Sequence, residues 1–529
     1  MPTFAAIDIG SNSCRLAIAV VQQHKLKLLH EDREVVRLGD SVFQTGEISP
    51  DAMAITIRAL KRFQKSVQEH VVDSVRVVAT SAMRDARNAA AFVAWVQSAT
   101  GWTVEIISGL EEGRLIHLGV VTHEAGARGR CLLIDLGGGS CEVTFSDGGR
   151  IQEMVSLPLG SVRLQQEFLH SDPPTEDQVR QLHTYIDREM QKLEREVGKP
   201  TVDLVIATSG SAAALAEASQ VPAAQLKRPV KAAAKKAAAK KPAGKGAVVP
   251  ALSASTPAVR GLARRLVKMK NAERLLVPGI GPKRSEIIIG GAFVYAEILE
   301  RLQLPGFRYS PLGLRDGILA QMLSDSDQHA SVHKAVEQER LEGVLEVCQR
   351  YGIDPKRVEP VRAHAVQLFD SLERVHALAP QYREWLSAAA MMNDVGKYMN
   401  HQGHHRHTQY IIENSEIFGF SPSERIGISA IARYLGKSRP DAMDRPLRSI
   451  PVEQQASVVR AIILLRLAIA LNGNRANDAI RFAARVYPKR VLLELQPGRG
   501  GAELERWALN KEAAYFKEIF RRDLVVELA

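Results

Sequence analysis

Three short turns in this 529-residue chain carry the residue types that handle phosphate. Residues 7–16 read IDIGSNSCRL, residues 134–143 read IDLGGGSCEV, and residues 208–211 read TSGS. A strand feeding a Gly/Ser turn presents backbone N–H groups and hydroxyls with no side chain in the way, which makes a nest for phosphate oxygens. The candidates are Gly10, Ser11, Asn12 and Ser13 in the first turn, Gly137, Gly138, Gly139 and Ser140 in the second, and Ser209, Gly210 and Ser211 in the third. Asp8 and Asp135 close the apolar runs before the first two turns, and the charge that follows changes sign, Arg15 in one and Glu142 in the other. Asp135 and Glu142 are the kind of carboxylates Mg²⁺ uses, one or two of them completed by water and phosphate oxygens. A further pair, Glu111 and Glu112 in ISGLEEGR, falls where a strand gives way to a helix. Acidic residues there also suit the helix dipole. One Gly turn with an Asp is ordinary hairpin chemistry. Two on a common plan predict a pair of phosphate nests facing each other across a cleft.

The elements that must hold these turns read as a repeat. Residues 3–21 predict strand, turn and strand, with a further strand over 25–29. A helix is expected from Asp51, with Ser49 as its cap and Pro50 in its first position. VRVVAT and WTVEIISG predict strands, each leading through a polar turn into a helix. The pattern restarts at Cys131 with strand, Gly turn, strand, SDGG turn and strand, then a helix over 175–196 and the strand VDLVIAT. α/β alternation repeated at this length means a duplicated domain rather than a solenoid. From about His329 helical periodicity takes over, and the last stretch returns to strand and helix.

Composition limits the alternatives. The length predicts two to four domains. Cys14, Cys131, Cys141 and Cys348 show no CxxC pattern, so a reducing compartment, the cytoplasm, is expected. The N-terminus lacks a basic n-region and breaks at once into a Gly turn, unlike a signal peptide. The most apolar run, residues 458–471, carries two arginines and reads as a buried helix, not a membrane span. The net charge of +11 is concentrated: Lys227 to Lys270 holds thirteen Lys and Arg and no acid, which leaves the rest of the chain at −2. This low-complexity Lys/Ala/Pro stretch is expected to be disordered over about 222–270. It would bind any polyanion by counterion release. It contains no aromatic residue on which a nucleobase could stack, so nucleic acid is a partner only through this insertion. One reading makes it a tether for long phosphate chains, the other a solvated insertion.

DIGSNSCRL, VATSAMRDARN, ISGLEEGRLI, IDLGGGSCEV, TSGSAAALA and LGLRDG occur in that order. Together they resemble the exopolyphosphatase / guanosine pentaphosphate phosphohydrolase (Ppx/GppA) family of the actin-like phosphotransferase superfamily. The resemblance implies an α/β fold class: duplicated actin-like (ribonuclease H-like) ATPase-type domains, then an all-helical HD-like domain and a small C-terminal α/β unit. The corresponding boundaries are 1–126, 127–322, 329–485 and 486–529. It implies that Glu112 is the base that activates water, that Asp135, Gly137 and Glu142 hold Mg²⁺ or Mn²⁺ with Asp8 as a further candidate, and that Arg84 contacts phosphate. Glu111 is left with a structural role. Arg15 departs from the family's residue.

In the helical region, His364 and Asp394 match an HD-type metal site, but Asn393 and Asn472 stand where a His and an Asp are expected. His404, His405 and His407 remain nearby in sequence. Two lost ligands predict a vestigial site that serves structure, dimerisation or substrate tracking. The expected activity is release of terminal orthophosphate from inorganic polyphosphate, by a homodimer that does not engage membrane. The alternatives are hydrolysis of guanosine pentaphosphate (pppGpp), a non-catalytic polyphosphate sensor, and an ATP-driven actin-like kinase or chaperone. The last lacks a recognisable adenosine-binding segment.

Overall fold

The computed structural model describes residues 1–220, 252–436, 439–441, 443–473, 480–497 and 501–528. They form two compact units, Met1–His333 and Lys334–Ala529.

The first unit contains two sheets on one plan. β1 (Thr3–Ile9), β2 (Ser13–Gln22), β3 (Lys25–Val35), β4 (Ser74–Ala79) and β5 (Val104–Ile106) lie in the order β3-β2-β1-β4-β5. β6 (Cys131–Leu136), β7 (Cys141–Asp147), β8 (Arg150–Leu157), β9 (Leu204–Thr208), β10 (Ser253–Ser255) and β11 (Gly306–Tyr309) lie in the order β10-β11-β9-β6-β7-β8. In each sheet the lead strand pairs antiparallel with the strand after the Gly turn and parallel with the strand on its other side. Helices cover the sheets, so β1, β4, β6 and β9 read as nearly continuous apolar runs rather than alternating ones. Each sheet has its own core, one around Ile7, Leu16, Leu60, Phe63 and Phe92, the other around Ile134, Val143, Leu182, Ile186 and Tyr295.

Local signals place the helices. Ser49 caps Pro50–Glu69 by accepting from the Ala52 amide at 3.3 Å. Thr175 and Gln178 form a capping box at the start of Glu176–Glu196. β3 runs to Val35, longer than the 25–29 expected, because it keeps pairing with β2 after a bulge at Ile18/Ala19. β5 is only three residues long because Ser108 already caps the next helix, accepting from the Glu111 amide at 3.1 Å.

The disorder expected over 222–270 is corrected at its C-terminal end. Residues 221–251 lie outside the described ones, but Ser253–Ser255 pairs with β11 and Thr256–Leu266 is a helix. Its Val259, Leu262, Ala263 and Leu266 are buried in the second core. These positions have the i, i+3, i+4, i+7 spacing of an apolar helix face, which the density of positive charge had overshadowed.

The second unit packs helices, among them Pro355–Ser371, Gln381–Met392, Pro422–Arg433 and Val452–Ala470, around one core. The apolar run 458–471 lies inside it. No helix among the described residues is long and apolar enough to cross a membrane. β12 (Arg481–Val486), β13 (Arg490–Gln496) and β14 (Asp523–Leu528) make a three-stranded sheet with the helix Glu503–Phe520. Phe482, Leu493, Phe516 and Leu524 share the helices' core, so the boundary expected at 485/486 has no counterpart in the packing.

The residues expected to match an HD-type site are each engaged in local bonds within the protein. The Asn472 amide donates to His364 Nδ1 at 2.8 Å, and His364 Nε2 donates to the Ile480 carbonyl at 2.7 Å. Asn393 donates to the Ala390 carbonyl at 2.6 Å, and Asp394 pairs with Lys397 at 2.8 Å. Both ring nitrogens of His364 are in use. No group of three or more His, Cys, Asp or Glu among the described residues is arranged to hold a metal.

Candidate functional site

The first two Gly turns sit at equivalent places in the two sheets, and the ladders explain the change of sign. Asp8 lies directly across from Arg15 on β1/β2, and Asp135 directly across from Glu142 on β6/β7. Partners in such pairs project from the same face of the sheet. A Cβ on Gly138 would come within 3.0 Å of Ser11 Cβ and 3.3 Å of the Asn12 amide, so the two turns abut at the bottom of a cleft. The cleft has a volume of about 520 Å³. Gly10 to Ser13, Gly137 to Ser140, Ser209 and Gly210 all line it, with Asp8, Glu112 and Asp135.

Glu112 stands on the second turn's side of a shared knot. It belongs to the helix Gly109–His123 and is 7% exposed. Arg84 donates to Glu112 Oε2 at 3.0 Å, to the Ile107 carbonyl at 2.8 Å and to Ser140 Oγ at 3.3 Å. Burial pushes the Glu112 carboxyl up to about 7, against the pull of Arg84 and with the help of Asp135 and Asp8. Burial likewise raises Asp8, with Arg15 and Arg315 opposing, and Asp135, with the Thr208 hydroxyl opposing. Glu142 is raised by burial and then by Glu112 and Asp135. All four carboxyls are thus shifted upward, chiefly by burial, so each holds its proton more tightly than a solvated carboxyl until a cation arrives. Glu111 faces elsewhere, bonded by Arg114 at 2.7 and 2.9 Å.

Several expected residues are not at the cleft surface. Ser211 is fully buried with an unpartnered hydroxyl beside Gly291, because two residues into its helix it has turned away from Ser209. Arg84 and Glu142 lie behind the lining rather than in it. Glu142 accepts from the Ser156 hydroxyl at 2.8 Å through Oε1, while its buried Oε2 has no partner. The Gly137 carbonyl accepts from both the Ser161 amide at 3.0 Å and the Ser161 hydroxyl at 3.2 Å, and its amide donates to Ser140, so its backbone is taken. A metal could take the Gly137 carbonyl only by displacing one of the Ser161 hydrogen bonds. The remaining donors, Asp8, Asp135 and Glu142, are all hard oxygens with one orphaned atom among them. They are not gathered into a group of three that would hold a metal by itself, so what they suit is a largely hydrated Mg²⁺ or Mn²⁺ that substrate oxygens complete, not a closed protein cage.

Sequence reasoning missed most of the cationic wall. Arg33, Arg284 and Arg315 line the cleft together with Arg15. Arg315 donates to the Leu16 carbonyl at 2.8 Å and pairs with Glu31 at 2.9 Å. Arg284 lies over Gly210 so closely that a Cβ there would overlap its guanidinium, and burial with Arg33 and Arg15 beside it lowers its pKa to about 10. Arg163 donates to the Gly139 carbonyl at 2.8 Å and packs 4.2 Å over the Phe43 ring, holding the second turn. The only sequence signal for Arg315 was its place in LGLRDG, and Arg284 had none. The cleft lining thus combines arginines and Gly turns that can bind anions with carboxyls, one of them a potential base, which is what transfer of a phosphoryl group to water requires.

The chain is similar to proteins of known structure and to a known family. An exopolyphosphatase from Cytophaga hutchinsonii is 26% identical, with 61% of this chain and 97% of that chain covered and a TM-score of 0.52. An exopolyphosphatase-like protein is 29% identical, with 60% and 96% covered and a TM-score of 0.53. A Ppx/GppA family member from Aquifex aeolicus is 28% identical, with 62% and 99% covered and a TM-score of 0.48. The Ppx/GppA phosphatase family matches over residues 17–326, and the family's domain III over residues 340–516. With its two abutting Gly turns on a duplicated actin-like fold and both family regions matched in order, the chain belongs to the Ppx/GppA phosphatase family.

Proposed function

We propose that this protein is an exopolyphosphatase that removes the terminal orthophosphate of linear polyphosphate with a Glu112-activated water. The observation that carries the reading is Glu112 itself, a desolvated carboxyl tied to Arg84 at 3.0 Å and opening on a cleft walled by arginines. Arg84 fixes the carboxylate's direction and favours its ionised form. The terminal phosphoryl group rests on the amides of the two abutting turns, with Arg15 and Arg284 neutralising its oxygens and those of the next phosphate. Glu112 takes a proton from water as the water oxygen bonds to the terminal phosphorus. The bridging P–O bond breaks, and its electrons leave on the shortened chain. Asp135 and Glu142, with Asp8 as a further candidate, would hold Mg²⁺ or Mn²⁺, which would supply neutralising charge for the transferring oxygens.

Guanosine pentaphosphate is the second reading, because Tyr309, Pro311 and Leu312 also line the cleft and offer a base an aromatic and apolar face. Phosphate release from long polyphosphate, guanosine pentaphosphate and ATP should be measured side by side for the parent protein and Glu112→Gln. The variant should lose 10²- to 10⁴-fold or more in turnover, roughly the range of general-base catalysis, while still binding the phosphate chain. Parent-like kcat in the variant would remove the assignment. A faster reaction on guanosine pentaphosphate than on polyphosphate would replace the substrate.

A further inference from the structure

The helix Thr256–Leu266 buries Val259, Leu262, Ala263 and Leu266 and turns a cationic side outward. Arg264, Arg265, Lys268 and Lys270 are exposed or half-exposed, and among the described residues none of them pairs with a carboxylate. Arg260, one helical turn before Arg264, is the exception, bonded to Glu300 at 2.9 Å. That bond joins the start of this helix to the end of Ile288–Arg301, against which it packs. Its other end is held by the buried Arg274, which donates to the Met269 carbonyl and, at 2.7 Å, to the Ser285 carbonyl. Lys268 and Lys270 flank Met269, and Ser285 follows Lys283 and Arg284. The two helices therefore run antiparallel, and the cationic end of one is clipped to the turn that delivers Arg284 to the cleft.

The acids nearby are already engaged. Glu273 caps the Lys270 amide at 2.8 Å, Glu286 faces Arg37 at 3.4 Å, and Asp172 pairs with Arg274 at 3.1 Å. What is left is a set of cations without carboxylate partners among the described residues, joined through the Arg274 clip to the turn that carries Arg284.

We propose that Arg264, Arg265, Lys268 and Lys270, continued by Lys283, form a landing track for the distal part of a linear polyanion whose end occupies the cleft. The proposal rests on the phosphohydrolase reading above and adds where a long chain lies. A bare phosphate chain fits better than single-stranded nucleic acid, because residues 226–270 contain no aromatic side chain for a base to stack on. Each phosphate neutralised on the track releases counterions, so the contribution must weaken with salt. It must also depend on length, since a chain too short to leave the cleft cannot reach it.

The test is the full-length protein with Arg264→Gln, Arg265→Gln, Lys268→Gln and Lys270→Gln together, which leaves the buried helix face intact. KM and kcat are measured on tripolyphosphate and on long-chain polyphosphate at several salt concentrations. For long chains KM should rise about tenfold at low salt, and the slope of log KM against log salt should become shallower by about 3, at roughly 0.7 to 0.9 for each cation removed. Values for tripolyphosphate and kcat on both should hold. An unchanged KM on long chains, or an equal rise on tripolyphosphate, overturns the track. So does loss of single-stranded oligonucleotide binding with long-chain polyphosphate binding retained. Direct binding of fluorescent long-chain polyphosphate to the two proteins tests the track even if neither hydrolyses it, so failure of the catalytic reading would be seen separately.

Discussion

Two adjacent glutamates do different things here because one step along a helix turns a side chain by about 100°. Glu112 meets the cleft and Arg84, whereas Glu111 meets Arg114, which is 1% exposed and also bonds Gln321 at 3.1 Å. Glu111→Gln should therefore weaken a buried ion pair, costing about 3 kcal/mol of stability, and leave kcat of the folded protein unchanged. Thermal unfolding and turnover measured on the same sample check this, and a loss of turnover at unchanged Tm would give Glu111 a catalytic role. At this scale the sequence was legible where residue type and repeat coincide. Asp8, Asp135 and the Gly turns stand out because the chain spells them twice, and Glu142 because it breaks the copy. Arg33 and Arg284 did not stand out, since an isolated arginine looks the same on a solvated turn as on a cleft wall. Ser211 was misplaced because a turn motif does not say where the following helix begins to rotate its side chains inward.

The elements that aim these residues meet at a tight crossing. The helix Gly109–His123 carries Glu112, and Leu314–Ser326 carries Arg315; they pack through Gly119 and Gly317. A Cβ on Gly317 would lie 1.7 Å from the Leu115 carbonyl oxygen, and one on Gly119 would lie 2.7 Å from the Gly317 amide. The obstacle is backbone, so no rotamer change relieves it. Gly317→Ala should force the helices apart at a cost of about 3 kcal/mol and lower kcat as well, because Glu112 and Arg315 move relative to the turns. Calorimetry with turnover decides, and a stable, fully active variant would mean the crossing does not set the site. The sequence showed the first of these helices but neither the second, whose start reads as a turn in LGLRDG, nor their crossing, which joins residues almost two hundred positions apart. Strands of ordinary length, capped helices and the duplication could be read from period and cap residues. β10 and β11 could not, since three- and four-residue strands carry too few positions to show a period.

Across the whole molecule, duplication explains why the same turn occurs twice, and divergence explains the opposite charges beside it. Two copies of one scaffold present Asp8 and Asp135 equivalently, and substituting the ladder partner gives one turn a cation, Arg15, and the other a carboxylate, Glu142. A site for a polyanion and its neutralising cation needs both signs. The second unit has followed another course. Where an HD-type site would bind metal, Asn472 and the Ile480 carbonyl occupy both nitrogens of His364. Metal binding is thus expected in the first unit alone. Asp135→Asn should abolish Mn²⁺ binding measured by equilibrium dialysis. His364→Gln should leave bound Mn²⁺ and kcat unchanged while lowering stability by about 1 to 3 kcal/mol, because a buried carbonyl or amide loses its partner. If His364→Gln instead removes an equivalent of bound Mn²⁺ that Asp135→Asn retains, the second unit holds a metal and its asparagines are ligands rather than replacements for one.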